Sequence, residues 1–119
     1  MNASRIFTTP VIEGYRIVDY KGLVTARNAR AVNIVRDFFT SFRDIFGGRS
    51  GSYESVMTDM ENEVLAIVST QAQAVGANAI IGFRIDFENI GSKRKSLIMA
   101  YGAGTAVVIE PIRSEKDSV

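Results

Sequence analysis

The chain has 119 residues, of which 46% are hydrophobic and 23% charged, as expected for a single globular domain. The formal net charge is +1, so no overall electrostatic attraction draws the protein to nucleic acid or to an anionic membrane. Cysteine and histidine are both absent, which excludes disulfides, thiolate or imidazole metal ligands and the commonest general base.

We expect no targeting signal in the N-terminal residues. Residues 1–10 lack the apolar core of a signal peptide, and no stretch reaches the roughly 18–20 apolar residues that a membrane-spanning helix needs. We therefore expect a cytoplasmic protein without an integral membrane segment.

Residues 5–8 are predicted to form a short strand before Pro10. A longer strand is predicted over residues 15–27, with Gly22 as a bulge or a close backbone approach.

Residues 33–46 have the periodicity of an amphipathic helix. Seven apolar residues fall on one half of the helical wheel: Ile34, Val35, Phe38, Phe39, Phe42, Ile45 and Phe46. Such a face either docks on a membrane or a partner, or is buried in the domain or a subunit interface. The opposite face balances arginines against aspartates and lacks the basic excess of membrane-surface helices, which favours burial.

The stretch that follows holds the predicted binding site. Its members are Arg43, Asp44, Gly47, Gly48, Arg49, Ser50, Gly51, Tyr53 and Glu54. Glycines let backbone amides approach a ligand, a helix N-terminus offers free N–H donors and Arg49 adds charge, so a small anion could bind here. A structural alternative is a glycine helix end followed by a serine cap, but it gives Arg49 and Tyr53 no role. We assign no catalytic residue, no metal ligand and no cofactor.

The longest helix is predicted to begin at Ser50 or Ser52 and to stop at Gly76, about 23 residues later. Its apolar stripe consists of Tyr53, Val56, Met57, Met60, Val64, Ile67, Val68 and Val75. A half-buried strand follows over residues 81–87. There Ile81, Phe83, Ile85 and Phe87 alternate with Gly82, Arg84 and Asp86.

The last strand, residues 97–109, contains no charged residue. One face carries Leu97, Met99, Tyr101, Ala103, Thr105, Val107 and Ile109. The other carries the smaller set Ile98, Ala100, Gly102, Gly104, Ala106 and Val108. A strand that is apolar on both faces belongs in the middle of a sheet. Because one long helix covers only one sheet face, we expect the small face to be covered by the 33–46 helix and by self-association.

These elements predict an α+β fold: a two-layer β-α-β-β sandwich with a mainly antiparallel sheet, its last strand central and the long helix on one face. The extra short helix and the N-terminal strand are expected to serve assembly. We expect one domain over residues 1–119, with a frayed tail over residues 111–119.

Several separated motifs follow one another along the chain: Thr8-Thr9-Pro10, Gly14, the run over residues 33–39, Arg43-Asp44-Ile45, Gly47-Gly48-Arg49-Ser50-Gly51-Ser52-Tyr53-Glu54, Gln71-Ala72, Gly76-Ala77-Asn78-Ala79 and Gly104-Thr105-Ala106-Val107. In this order, and over residues 6 to about 109, they resemble the YbjQ-like family. The resemblance implies a dodecin-like fold assembled as a ring, typically a homopentamer, and no established activity. It also brings a heavy-metal-binding label, for which this chain has no cysteine or histidine ligand.

The sequence therefore favours a ring-forming, non-catalytic binding or scaffold module that associates with copies of itself. Two alternatives stay open at this stage. One is a small-anion or metal-ion site at the glycine-rich turn. The other is docking on a membrane or a partner through the phenylalanine-rich helix.

Overall fold

A computed structural model describes residues 5–32, 52–91 and 96–113. The elements are strand β1 (Tyr15–Val32), helix α1 (Ser52–Ala74), strand β2 (Ala79–Gly91) and strand β3 (Ser96–Pro111). The strands form one antiparallel sheet in the order β1-β3-β2, with α1 packed on one face. The predicted α+β fold with a central last strand is confirmed. The predicted helix over residues 33–46 lies outside the described residues.

The N-terminal segment lies along the outer edge of β2. Ile6 forms a single parallel bridge with Ile80, so regular strand pairing is shorter than the predicted 5–8. The Phe7 N–H donates to the Ile80 carbonyl at 2.8 Å, and the Phe83 N–H donates to the Phe7 carbonyl at 2.9 Å. These bonds satisfy backbone groups that an edge strand would otherwise leave free. The predicted role of this segment in assembly stays a prediction.

Strand β1 is longer than predicted and contains two irregularities in its pairing with β3. The register shifts lie between Ile17 and Asp19 and between Tyr20 and Gly22. Gly22 has a φ of 118°, a conformation that residues with a Cβ rarely adopt. The predicted bulge at Gly22 is therefore confirmed.

Helix α1 buries a narrower stripe than the sequence pattern predicts. Met60, Val64, Val68 and Ala72, spaced four residues apart, are fully buried against the sheet. Ile67 and Val75 were predicted in the stripe, but they are 40% and 48% exposed. A single row of residues at this spacing packs on the small helix-side residues of β3, which include Ala100, Gly102 and Ala106.

The helix ends as predicted at Gly76, which has a φ of 81°. The Ala77 N–H donates to the Ala72 carbonyl at 2.9 Å, and the Gly76 N–H donates to the Gln73 carbonyl at 3.0 Å. This pair of bonds defines a Schellman motif, which satisfies carbonyls that the helix end leaves unpaired.

Strand β2 changes phase at a bulge, and one predicted face is wrong as a result. Gly82 has a φ of 60°, and the register with β3 shifts between Ile81 and Arg84. Ile81 therefore lies on the face away from α1, in a cluster with Val107. Phe83 belongs to the cluster on the helix side, together with Ile80.

Strand β3 presents its small face to α1, which reverses the predicted arrangement of covered and open faces. A Cβ on Gly102 would lie 2.5 Å from Val64 Cγ1, and a Cβ on Gly104 would lie 2.7 Å from Ile80 Cγ2. Gly102 leaves room for Val64 of α1, so the helix packs closely on β3. Gly104 leaves room for Ile80 of the neighbouring strand β2. The face with the larger side chains, which includes Met99 and Tyr101, points away from α1.

Polar side chains fasten α1 to the free edge of β1. The Gln71 amide nitrogen donates to the Thr25 carbonyl at 2.7 Å, and the Thr25 N–H donates to the Gln71 side-chain oxygen at 3.1 Å. About two helical turns before Gln71, the Glu63 carboxylate accepts hydrogen bonds from Asn28 and Arg30. No helix in the described part of the chain combines the length and the hydropathy needed to cross a membrane.

A candidate binding groove on the open sheet face

The predicted glycine-rich site falls almost entirely outside the described residues. This applies to seven of its members: Arg43, Asp44, Gly47, Gly48, Arg49, Ser50 and Gly51. Tyr53 and Glu54 lie in the first turn of α1, where the acidic Glu54 complements the helix dipole. The predicted site therefore stays a prediction.

The sheet face opposite α1 divides into a covered end and an open end. At the covered end, Phe7 and Ile12 of the N-terminal segment pack with Ile17 against Ile81 and Val107. Toward the β2–β3 turn, no described element lies over the face. We call this uncovered part, from Tyr20 and Leu23 to the β2–β3 turn, the open face.

Strand pairing brings three functional side chains into one row across the open face. Arg27 of β1 and Asp86 of β2 both pair directly with Tyr101 of β3. Directly paired residues in antiparallel strands project from the same face, so the row runs cation, aromatic ring, carboxylate. In the next row, Glu88 of β2 pairs with Met99 of β3.

These residues line a groove of about 550 Å³. Its lining consists of Arg27, Asp86, Phe87, Glu88, Met99 and Tyr101. The Arg27 guanidinium carbon lies 5.2 Å from the centre of the Tyr101 ring, within the range of a cation–π contact. The guanidinium is therefore drawn from its own strand over the middle of the groove.

Within the described residues, the three charged side chains of the groove form no ion pair. Three ion pairs form among the described residues: Arg16 with Glu110, Lys21 with Asp19, and Arg30 with Glu63. Arg27, Asp86 and Glu88 belong to none of them. One guanidinium and two carboxylates are thus available to an incoming ligand, and each can form charge-assisted hydrogen bonds.

The donor set does not fit a soft heavy metal. Thiolate and imidazole, the ligands that such metals prefer, cannot come from a chain without cysteine and histidine. Within residues 5–32, 52–91 and 96–113, no group of three or more carboxylates converges on one point. Asp86 and Glu88 sit beside an arginine and a tyrosine, a setting suited to organic ligands.

Sequence reasoning missed this groove, although part of its signal was present. The alternation in β2 placed Arg84 and Asp86 opposite the phenylalanines, and the alternation in β3 placed Tyr101 with Met99. The β1 residue beside Tyr101 depends on the strand register. Two bulges set that register, and periodicity alone does not locate them.

Comparison with known proteins places the chain in a family. A family model described as "Putative heavy-metal-binding" matches residues 5–110. A UPF0145 protein from Actinobacillus pleuropneumoniae is 43% identical over 104 residues, which cover 87% of this chain and 97% of the relative. UPF0145 proteins from Pasteurella multocida and Haemophilus ducreyi are 42% and 45% identical over the same shares.

A solved structure is similar in fold. It is the crystal structure of a protein with unknown function from Pediococcus pentosaceus, of the DUF74 family. The TM-score is 0.61 at 19% identity, and the alignment covers 88% of this chain and 96% of that one. At this identity the likeness concerns the fold alone. The family match, in contrast, spans most of the sequence and agrees with the motifs noted above, so the chain belongs to the YbjQ family.

Proposed function

We propose that the protein is a non-catalytic binding module, formed by one domain over residues 1–119, that assembles with copies of itself in the cytoplasm. The observation that carries this proposal is the open face, where apolar side chains are exposed and three charged side chains form no ion pair within the described residues. A cytoplasmic location agrees with a chain that contains no cysteine.

Self-assembly is supported by the exposed apolar side chains of the open face. Tyr20 is 66% exposed and Leu23 is 74% exposed, and both lie on the edge strand β1. At the other end of the open face, Ile90 and Leu97 pair with each other and are also exposed. Exposed apolar side chains beside a sheet edge are typical of a site that meets another chain. A second copy is the proposed occupant, in keeping with the ring that the family resemblance implies.

A binding role, as opposed to a catalytic one, is supported by the chemistry of the groove. Arginine, tyrosine, methionine and two carboxylates can hold and orient a ligand through charge and ring contacts. Histidine, the commonest general base of enzymes, is absent from the chain. The relatives' names mention no reaction.

Light scattering coupled to size exclusion tests the assembly. We expect the wild-type protein to show the mass of a closed oligomer, with a pentamer as the leading expectation, at micromolar concentration. Leu23→Ser should lower that mass while the circular dichroism spectrum stays unchanged. Ile67→Ser is the matched control, because Ile67 is an exposed apolar residue on α1, away from the open face.

Two results would contradict the proposed assembly. The first is a monomer mass for the wild-type protein, which would leave residues 33–46 as the alternative cover of the open face. The second is an equal effect of Leu23→Ser and Ile67→Ser on the mass, which would mean that the open face is not the contact surface.

A further inference from the structure

We infer that the groove between Arg27 and Asp86 binds a small zwitterion of net positive charge, with a basic amino acid as its simplest representative. The ligand carboxylate would lie on Arg27 and its ammonium groups on Asp86 and Glu88. This inference deepens the proposed function, because it depends on the open face being a binding site. It does not depend on self-assembly.

The first argument is the separation of opposite charges along one row. Arg27 and Asp86 flank Tyr101 on its two sides, so their backbones are about 10 Å apart at roughly 4.8 Å per strand spacing. The contact with the Tyr101 ring draws the guanidinium toward the middle and shortens this span. An α-amino acid carries its carboxylate and ammonium on one carbon. With a hydrogen bond of about 2.8 Å at each end, it can bridge the remaining gap.

The second argument is the balance of charge. The groove lining contains one arginine and two carboxylates, so its formal net charge is negative by one. Arg84 shares the open face but pairs with Ala103, one row further along, and does not line the groove. Asp86 and Glu88 are two residues apart on the same face, about 7 Å along the strand. A second ammonium on a flexible side chain reaches Glu88 and neutralises the remaining charge.

The third argument is the floor and the size of the groove. Met99 and Tyr101 are adjacent side chains on the open face of β3, and they provide a polarisable surface for methylene groups. The volume of about 550 Å³ falls within the range of small-molecule sites. The carboxylates at one end and the guanidinium at the other then fix the direction of the ligand.

Isothermal titration calorimetry with three related probes tests the inference. L-lysine carries all three groups, cadaverine lacks the carboxylate, and 6-aminohexanoate lacks the α-ammonium. We expect L-lysine to bind at least about tenfold more tightly than either analogue, the factor expected from one charge-assisted contact. Arg27→Gln should remove the advantage of L-lysine over cadaverine. Asp86→Asn should remove its advantage over 6-aminohexanoate.

Asp59→Asn is the matched control, because Asp59 is an exposed carboxylate on α1, on the opposite side of the sheet. It should leave all three affinities unchanged. Equal affinities for the three probes, or no measurable heat with L-lysine, would overturn the inference. The oligomer mass of the same samples separates the two proposals. Selective binding by a monomer refutes only the assembly, whereas an oligomer that does not discriminate among the probes refutes only the ligand class.

Discussion

The close contact between α1, β2 and β3 makes Gly104 a sensitive position. A Cβ at Gly104 would lie 2.7 Å from Ile80 Cγ2, 3.2 Å from the Ile81 carbonyl oxygen and 3.2 Å from Phe83 Cδ1. Ile80 is fully buried, and the carbonyl belongs to the backbone, so neither can yield easily. Gly104→Val adds two further methyl groups to this crowded site. Overpacking of this kind costs about 1–3 kcal/mol, and the backbone contact places our expectation at about 2–3 kcal/mol.

Urea denaturation followed by circular dichroism measures this change. For a domain of this length, about 2–3 kcal/mol corresponds to a fall in melting temperature of roughly 6–15 °C. Protein concentration has to be held constant, because association shifts the apparent stability. Ala103→Val is the matched control: Ala103 is the neighbouring residue on the open face, where an added branch meets less packing. We expect the control to stay within about 0.5 kcal/mol of wild type. An unchanged midpoint for Gly104→Val would contradict the close packing of Ile80 and Phe83 of β2 over β3 at this position.

Three further substitutions test other contacts. Gln71→Ala removes two hydrogen bonds to the edge of β1. The free energy of unfolding should fall by about 1–2 kcal/mol, and amide hydrogen exchange at the β1 edge should become faster. Gln73→Ala, on the outer side of α1, should change neither quantity. Asn78→Ala removes the paired bonds between this side chain and the Ile109 backbone. We expect urea denaturation to show a free energy of unfolding lower by about 1–3 kcal/mol, and a decrease of less than about 0.5 kcal/mol would contradict the role of these bonds. Arg49→Ala should lower the oligomer mass or abolish phosphate-dependent stabilisation without changing secondary structure, and wild-type values for both would make Arg49 an ordinary surface residue.

The element order and the central strand could be predicted because they depend on local sequence patterns. Gly76 ends α1 through capping chemistry, and the uncharged run over residues 97–109 is the pattern of a strand between two others. Both signals need only a few neighbouring residues and no knowledge of the tertiary structure. The helix therefore has its predicted start and length.

The faces of the sheet were harder to predict because they depend on bulges. Gly82 shifts the phase of β2, so Ile81 and Phe83 face opposite sides although they are two residues apart. A glycine in a strand pattern signals a bulge only weakly, since it also fits a close backbone approach. In the same way, Arg27 could not be assigned to Tyr101 from the sequence, because that pairing follows the irregularities earlier in β1.

The hydrogen bonds of residues 7–9 with β2 bear on how the chain can be handled in the laboratory. The Gly82 N–H donates to the Thr9 carbonyl at 2.9 Å, beside the two bonds made by Phe7. This short segment therefore covers the β2 edge. A fusion partner joined directly before residue 5, or removal of the residues up to residue 10, would disturb these hydrogen bonds and expose Ile81. Affinity tags and fluorophores are therefore best attached beyond residue 113, past the hydrogen bond from the Ile112 N–H to the Gly14 carbonyl.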